Sequence, residues 1–387
     1  MKHKQIVCLS THYWDDPWFR KQHFMHRFVR EGYKVAYVEP SYSIVRKRDE
    51  HRTKYQTNKA FTVSVDKKGD NLFSLKPPRG LPFWSRPVIS KLNYSYFSIC
   101  LASTLKKIGF EDYILWVYRP EYAPCLNYFD YGKLVYDCVD DLAAYKQTDR
   151  SKYEFIKECS EILARRSDLV IVTAATLYEK YEDMARNLHI VPNGFDLDLF
   201  SVQSRKQPED IKSIPHPVIG FVGTLFSFLD YDLIEFIIKK NSDKSFVFIG
   251  NCEENSSQVW AHITNSYKNV HWLGRKKKEE IPSYLRAFDV CINPFKVNDV
   301  SRSVSPLKVY EYLAVKKPVI SVRMESLERE SIAQFLHFAS TYDEFNEKLE
   351  QALMTKDYFE EKLNYSMVLA YSWDVLFKKV FSAVESI

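Results

Sequence analysis

The feature that most restricts how this chain can fold is a rhythm of short, β-branched apolar runs separated by helical patterns, and the rhythm occurs twice. The first series is Ile6 to Leu9, Val35 to Val38, Ile114 to Tyr118, Leu134 to Asp137, Leu169 to Val172 and His189 to Val191. The second is Val218 to Val222, Phe246 to Ile249, Val270 to Leu273, Val290 to Ile292 and Val319 to Val322. Such runs alternating with helices are the pattern of βαβ units on a parallel sheet. Ser201 to Pro217, polar and rich in Lys, Gln, Ser and Pro, falls between the series and reads as a linker or surface loop. The expected fold is α/β: two Rossmann-like domains with parallel sheets facing across a cleft. They would span residues 1–205 and 206–364, with an amphipathic helix over 365–387 crossing back to the first. Ligands of such sheets bind beyond the carboxyl ends of the strands, so the cleft is the expected site.

The length of 387 residues agrees with two domains, because a single core rarely grows past about 250 residues. The seven cysteines are odd in number and scattered without metal-ligand or redox spacing, and read as reduced thiols. No charged-then-apolar leader opens the chain, and nowhere do about 18 apolar residues run together. The expectation is a cytoplasmic protein, at most peripheral on the inner face of the cell membrane.

The net charge of +5 is unevenly spread: Ser41 to Phe110 holds 14 Lys/Arg against 4 Asp/Glu. Tyr55, Phe61, Phe73, Phe83, Trp84, Tyr94, Tyr96 and Phe97 are interleaved with these charges. A block of this kind suits an anionic lipid surface, with aromatic rings at headgroup level. It is equally what a solvated basic face over ordinary core aromatics would look like. No nucleic-acid-binding motif is present, and nucleic acid is not an expected partner.

The turn after the first strand, Thr11 to Pro17, has no glycine, which disfavours a dinucleotide there. The spacing predicts a helix over 18–31, with Asp16 as N-cap, Pro17 at its first position and Gly32 just past its end. His12 at the strand end, with Arg20 and His23 on the helix, are candidate acceptor contacts. A cation near a helix start opposes the macrodipole unless an anion is bound there. The alternative is an exposed arginine and two surface histidines.

Ser305-Pro306-Leu307-Lys308-Val309-Tyr310-Glu311 opens another helix, with Ser305 read as N-cap and Pro306 as first helical residue. Lys308 then sits in the first turn, where a capping box would place Glu or Gln. A diphosphate would resolve this breach, accepting from both the helix amides and the lysine. Glu311 lies on the same face, and its carboxylate could accept both hydroxyls of a ribose. Gly223 and Thr224 end the second domain's first strand, where glycine lets a phosphate approach, and Asn293 and Pro294 end another strand of that domain. Together these are the candidate donor contacts; the alternative is an i, i+3 ion pair on a solvated face.

Taken in order with Pro192-Asn193-Gly194-Phe195-Asp196, these segments resemble the group 1 glycosyltransferases of the GT-B fold, and more closely their TuaH-like, teichuronic-acid subset. Trp18 to His23, Gly32 to Pro40, Tyr136 to Asp141 and Ser305 to Ala314 carry the likeness over nearly the whole chain. The resemblance implies a nucleoside-diphosphate sugar donor, with a UDP-sugar expected. It implies a glycan acceptor, lipid-linked if the basic stretch faces a membrane, in bacterial surface polysaccharide synthesis. It makes Glu311 the second of the family's paired glutamates, the ribose contact. The first would fall at residue 303, which is Ser303, so the usual grip on the donor sugar and the usual retaining stereochemistry do not carry over. The basic residue that the family often has after the Gly223 turn is replaced by Phe226, Ser227, Phe228 and Leu229, leaving more of the diphosphate charge to Lys308.

For a base we expect Asp140, in a run of acids after Leu134 to Asp137, where a neighbouring carboxylate could raise its pKa; capping of a following helix is the competing role. Arg119, after another strand, is a further candidate acceptor contact. Asp196-Leu197-Asp198 and Asp230-Tyr231-Asp232 have the acid-x-acid pattern of metal-dependent transferases but suit helix capping, and no metal or other cofactor is expected. Two other readings fit the same residues: a GT-B sugar-nucleotide epimerase, and a noncatalytic sugar-nucleotide-binding subunit.

Overall fold

Strands buried on both faces read as near-continuous apolar runs, and Tyr113–Val117, Leu169–Val172 and Val319–Val322 are such strands, buried at every residue. The computed structural model describes residues 4–41, 59, 61–83, 86–146, 149–201 and 206–387. The chain divides into two units, Met1–Val191 together with Phe377–Ile387, and Pro192–Leu376. The division falls ahead of residue 205 because Phe195 and Phe200 are buried in the second core, and Phe195 pairs with Ser372. The polar composition that suggested the later position belongs to a segment that follows these anchors and includes the short helix Glu209–Lys212.

The first unit is built on eight strands: β1 (Gln5–Leu9), β2 (Lys34–Val38), β3 (Ser64–Gly69), β4 (Leu72–Lys76), β5 (Tyr113–Val117), β6 (Tyr131–Cys138), β7 (Leu169–Val172) and β8 (Leu188–Ile190). Their order is β3-β4-β2-β1-β5-β6-β7-β8. All neighbours are parallel except β3 and β4. The β3–β4 pair was not anticipated, because Lys67, Lys68 and Lys76 interrupt its apolar pattern. The second unit has β9 (Val218–Val222), β10 (Ser245–Ile249), β11 (Val270–Trp272), β12 (Val290–Asn293), β13 (Val319–Val322) and β14 (Leu336–Ala339). Its order is β11-β10-β9-β12-β13-β14, parallel throughout. Strand order reverses between β1 and β5 in the first sheet and between β9 and β12 in the second, the switch points outside which α/β sheets hold ligands.

Helix α1 (Arg20–Arg30) begins two residues later than the spacing predicts. Asp16 accepts from Tyr13 N at 3.1 Å and so closes a turn, while the Gln22 side chain accepts from Phe19 N at 3.1 Å and caps the helix. Helix α2 (Pro87–Lys107) packs Tyr94, Phe97, Leu101 and Leu105 into the first core. Helix α3 (Leu307–Ala314) follows β12. The last helix, α4 (Trp373–Glu385), begins in the second unit and ends in the first, where Phe377 meets Phe28 with ring centroids 4.9 Å apart. The segment expected as one helix is two, since Tyr365–Leu369 forms a separate short one. No helix among the described residues is long and apolar enough to cross a membrane.

Candidate functional site

In the second unit β9, which borders the switch point, runs into a turn that only glycine can form. Gly223 has φ +152° and Gly250 φ +145°, and a Cβ on Gly250 would lie 2.0 Å from the Gly223 carbonyl oxygen. The ends of β9 and β10 are therefore backbone against backbone. Lys308, in the first turn of α3, lies over Gly223: a Cβ there would be 3.1 Å from Lys308 Cε and 3.3 Å from Nζ. Thr224 beside it is exposed.

The Lys308 ammonium is held by aromatic faces. Its Nζ is 4.2 Å from the ring centroid of Phe295, 4.7 Å from Phe221 and 6.0 Å from Phe226. These rings come from the ends of β9 and β12 and from the turn between β9 and its helix. They attract a cation through their π faces but cannot rehydrate it. Burial lowers the Lys308 pKa to about 7, with Glu311 pulling it back up. No side chain caps α3, and Lys308 has no hydrogen bond or ion pair among the described residues. Glu311, one turn on, has its pKa raised by burial against the opposing pull of Lys278 and Lys308. Lys278 and Phe221 were given no role from the sequence, and Phe295 entered only as the residue after Asn293 and Pro294 at a strand end. Phe226 was noted only as standing where a basic residue was missing.

Other candidates in this unit are placed differently. Ser305 is not the cap: Pro306 occupies that position, and the Ser305 hydroxyl accepts from Asn193 N at 3.2 Å and meets Tyr310 Oη at 2.8 Å. A bond to a residue 112 positions away outcompetes the local cap. Asn293 is fully buried, its amide nitrogen donating to Ser321 Oγ at 2.9 Å, so it braces β12 against β13, while its Oδ1 is left without a hydrogen-bond partner among the described residues. Pro294 is buried, and its carbonyl accepts from Asp230 N at 2.9 Å. Ser303 is buried in a short 3-10 turn, Ser301–Ser303. Asp230 caps the helix Tyr231–Lys240 through Leu233 N at 3.0 Å, and Asp196 accepts from Leu199 N at 3.3 Å, so both acid-x-acid strings contribute caps. Among the described residues, no three His, Cys, Asp or Glu side chains are grouped to hold a metal.

In the first unit, the acids after β6 have separate tasks. Asp137 is buried and accepts from Arg20 Nε at 3.0 and 3.1 Å, while Arg20 Nη1 donates to the Val191 carbonyl at 2.8 Å. Arg20 is 2% exposed. It is a structural tie rather than the anion contact its helix-start position suggested, because a carboxylate of this chain already answers its charge. His23 is buried too, its Nδ1 3.3 Å from Arg27 Nη1 and its ring edge-on to Trp18, so neither Arg20 nor His23 is the exposed residue of the alternative reading. Asp141 accepts from Lys180 Nζ at 2.7 Å. Arg119 pairs with Glu121 at 3.3 Å. His12 is half-buried, 2.9 Å from Thr11 Oγ1 through Nδ1 and 4.8 Å from the Phe19 ring.

Asp140 is the acid left over. Its main-chain oxygen is engaged by Leu142 N at 3.0 Å, but its carboxylate has no hydrogen bond among the described residues. Burial pushes its pKa up to about 7, opposed by Lys21 and assisted by Asp141. Lys21 is itself buried, with Nζ 4.8 Å from the Tyr118 ring centroid, and burial lowers its pKa to about 8 against the pull of Asp140. The two titrate as a pair. Lys21 went unnoticed beside Arg20 in the sequence, because the burial of Arg20, Gln22, Phe24 and Met25 around it is set by the fold and not by any spacing.

With this geometry described, similarity to known proteins can be assigned. Residues 216–355 match the model of glycosyl transferases group 1. That segment of the second unit is thus similar to a group 1 glycosyltransferase domain, and the fold is the GT-B fold of two parallel-sheet α/β units. It is 26% identical over 227 residues to TuaH of Bacillus subtilis (strain 168), a candidate teichuronic acid biosynthesis glycosyltransferase. That match covers 56% of this chain and 57% of TuaH, just over half of each. Among solved structures, sucrose-phosphate synthase from Thermosynechococcus elongatus aligns over 99% of this chain and 98% of its own, with TM-score 0.71 and 12% identity. Anabaena HepE in complex with UDP and glucose aligns over 100% of both chains, with TM-score 0.68 and 13% identity. At these identities the structures establish the fold.

Two substitutions test the geometry. Gly250→Ala forces the turns of β9 and β10 apart and should cost roughly 1–3 kcal/mol in thermal or denaturant unfolding. Arg20→Ala leaves Asp137 buried and uncompensated and should cost about 3–5 kcal/mol. An Arg20→Ala protein as stable as the wild type would show that the pair does not anchor α1.

Proposed function

We propose that this protein is a glycosyltransferase that takes its sugar from a nucleoside-diphosphate sugar, a UDP-sugar in our reading, for synthesis of a bacterial cell-surface polysaccharide. The observation that carries the proposal is Lys308: a half-buried cation among aromatic rings, held over Gly223 at an uncapped helix start, with no anionic partner within hydrogen-bonding reach among the described residues. A diphosphate supplies the missing charge, accepting from the ammonium and from the first amides of α3. Glu311, one turn away, is suited to the ribose hydroxyls. The complexes of similarly folded proteins with UDP and glucose and with UDP-2-fluoro glucose support the donor class, and the TuaH likeness supports the polysaccharide setting.

In this reading the acceptor is lipid-linked and the protein works at the cytoplasmic face of the membrane. The acceptor hydroxyl oxygen forms the new bond to the anomeric carbon as the bond to the diphosphate breaks. The hydroxyl proton passes to Asp140, and the departing negative charge is stabilised by Lys308. Asp140 is favoured as base because it alone of the three acids is uncommitted and is poised near pH 7. No metal is assigned a role.

Calorimetric titration with nucleoside diphosphates and their sugars should find one that binds with micromolar affinity, weakened about 10- to 100-fold in Lys308→Ala. Because the free lysine titrates near 7 and a bound diphosphate favours its charged form, binding at pH 8 should take up a proton. Affinity should accordingly fall as pH rises from 7. No binding across the panel would remove the basis of the proposal.

Turnover should fall as pH drops through about 7, where Asp140 becomes protonated. Lys21→Met removes a cation that holds this pKa down, so it should move that limb to higher pH. Asp140→Asn should retain nucleotide binding and lose turnover; an unchanged rate would exclude Asp140 as the base.

A further inference from the structure

Helix α2 is apolar on the side that faces water as well as on the side that faces the core. Val88, Leu92, Tyr96 and Ile99 are 71%, 54%, 37% and 51% exposed. At 100° per residue these four positions fall within about 80° of arc, a continuous stripe along the helix. Two neighbouring segments extend it. Tyr96 Oη donates to the Phe61 carbonyl at 3.1 Å, and the Phe61 ring is 74% exposed. Leu81 exchanges two hydrogen bonds with the buried Asn93 side chain, at 2.8 and 3.1 Å, and is 49% exposed. Phe83 stands 67% exposed with φ +66°, a conformation that bulky residues rarely adopt, and the Arg86 guanidinium lies 5.6 Å from its ring centroid.

The charge along this stretch of the chain has one sign. Between Asp70 and Glu111 there is no Asp or Glu, while Lys76, Arg79, Arg86, Lys91, Lys106 and Lys107 all fall there. On α2 itself, Lys106 continues the stripe, and Lys91 and Lys107 flank it on opposite sides. None of these three makes an ion pair among the described residues. A second copy of this chain is a poor occupant, since a two-fold contact would set these cations against one another. An anionic lipid surface answers both features: acyl chains take the stripe, and phosphate headgroups take the flanking lysines.

We propose that the exposed face of α2, with Phe61, Leu81 and Phe83, docks the first unit on an anionic membrane. The purpose of the contact rests on the lipid-linked acceptor proposed above. The contact itself can be measured without nucleotide, just as nucleotide binding can be measured without vesicles, so either reading can fail alone. The full-length protein should pellet with vesicles of phosphatidylglycerol and phosphatidylcholine and stay in solution with phosphatidylcholine alone. A variant combining Val88→Ser, Leu92→Ser and Ile99→Ser should bind the anionic vesicles at least about tenfold less, since it removes three inserting side chains. A second variant, with Lys91→Gln, Lys106→Gln and Lys107→Gln, should lose a similar factor at low salt and less at high salt. Unchanged nucleotide titration in both variants would show that they fold. Failure of the wild type to pellet, or equal pelleting of all three proteins, would overturn the proposal. So would a serine variant that changes from dimer to monomer in sedimentation while its vesicle binding is unaltered.

Discussion

The first unit is organised around a buried ion pair. Arg20 reaches from α1 to Asp137 at the end of β6 and to the carbonyl of Val191, the last residue before the chain enters the second unit. A buried pair of this kind earns its place less through its own energy than through what it forbids, because neither partner tolerates being left alone. It determines where the β6 end and the following turn can lie. It also removes Asp137 from the chemistry, as Lys180 removes Asp141, so that Asp140 faces only Lys21 among nearby cations. One structural charge pair thus selects which of three adjacent-looking acids is free to titrate.

Much of the fold was legible because strands covered on both faces read as near-continuous apolar runs; the eleven expected runs are all strands or parts of strands. β3, an edge strand, and β4 beside it escaped because their lysines look like surface loop, and β14, at the edge of the second sheet, escaped as a four-residue run interrupted by His337. The site was legible where it broke a local rule. Lys308 at a helix start is locally wrong, and the structure supplies its context in three phenylalanines distant in sequence. It was illegible where a long-range partner decided the matter. Ser305 reads as a cap until Asn193 is brought to it, Arg20 reads as a free cation until Asp137 is, and Asn293 reads as a strand-end polar contact until Ser321 takes its amide. No spacing within a short window encodes such partners.

The aromatic setting of Lys308 bears on the two departures from the family pattern. Where Ser303 replaces a carboxylate and Phe226 stands near the place of a basic residue, the local charge is smaller in both signs. A cation among rings is held by quadrupoles rather than by counter-charge, so it keeps its position while staying short of solvation. In the proposed function that arrangement makes the site responsive to an arriving diphosphate, since the anion would change the protonation of the lysine as well as pair with it. A site built from a permanent ion pair would lack this response.

The last helix has a consequence for how the protein comes into being. Phe377 and Phe381 pack beside Phe24, Phe28 and Tyr33, with ring centroids between 4.9 and 6.4 Å apart. The first unit is thus discontinuous in sequence, with the whole of Pro192–Leu376 lying between its two pieces. As the chain leaves the ribosome, the earlier-made unit lacks part of its core until residues beyond Phe381 emerge, while the later-made unit can already close. Vectorial synthesis therefore orders assembly against the reading direction: the second sheet matures first, and an interrupted chain that stops short of α4 leaves the aromatic side of α1 open to solvent and to chaperones.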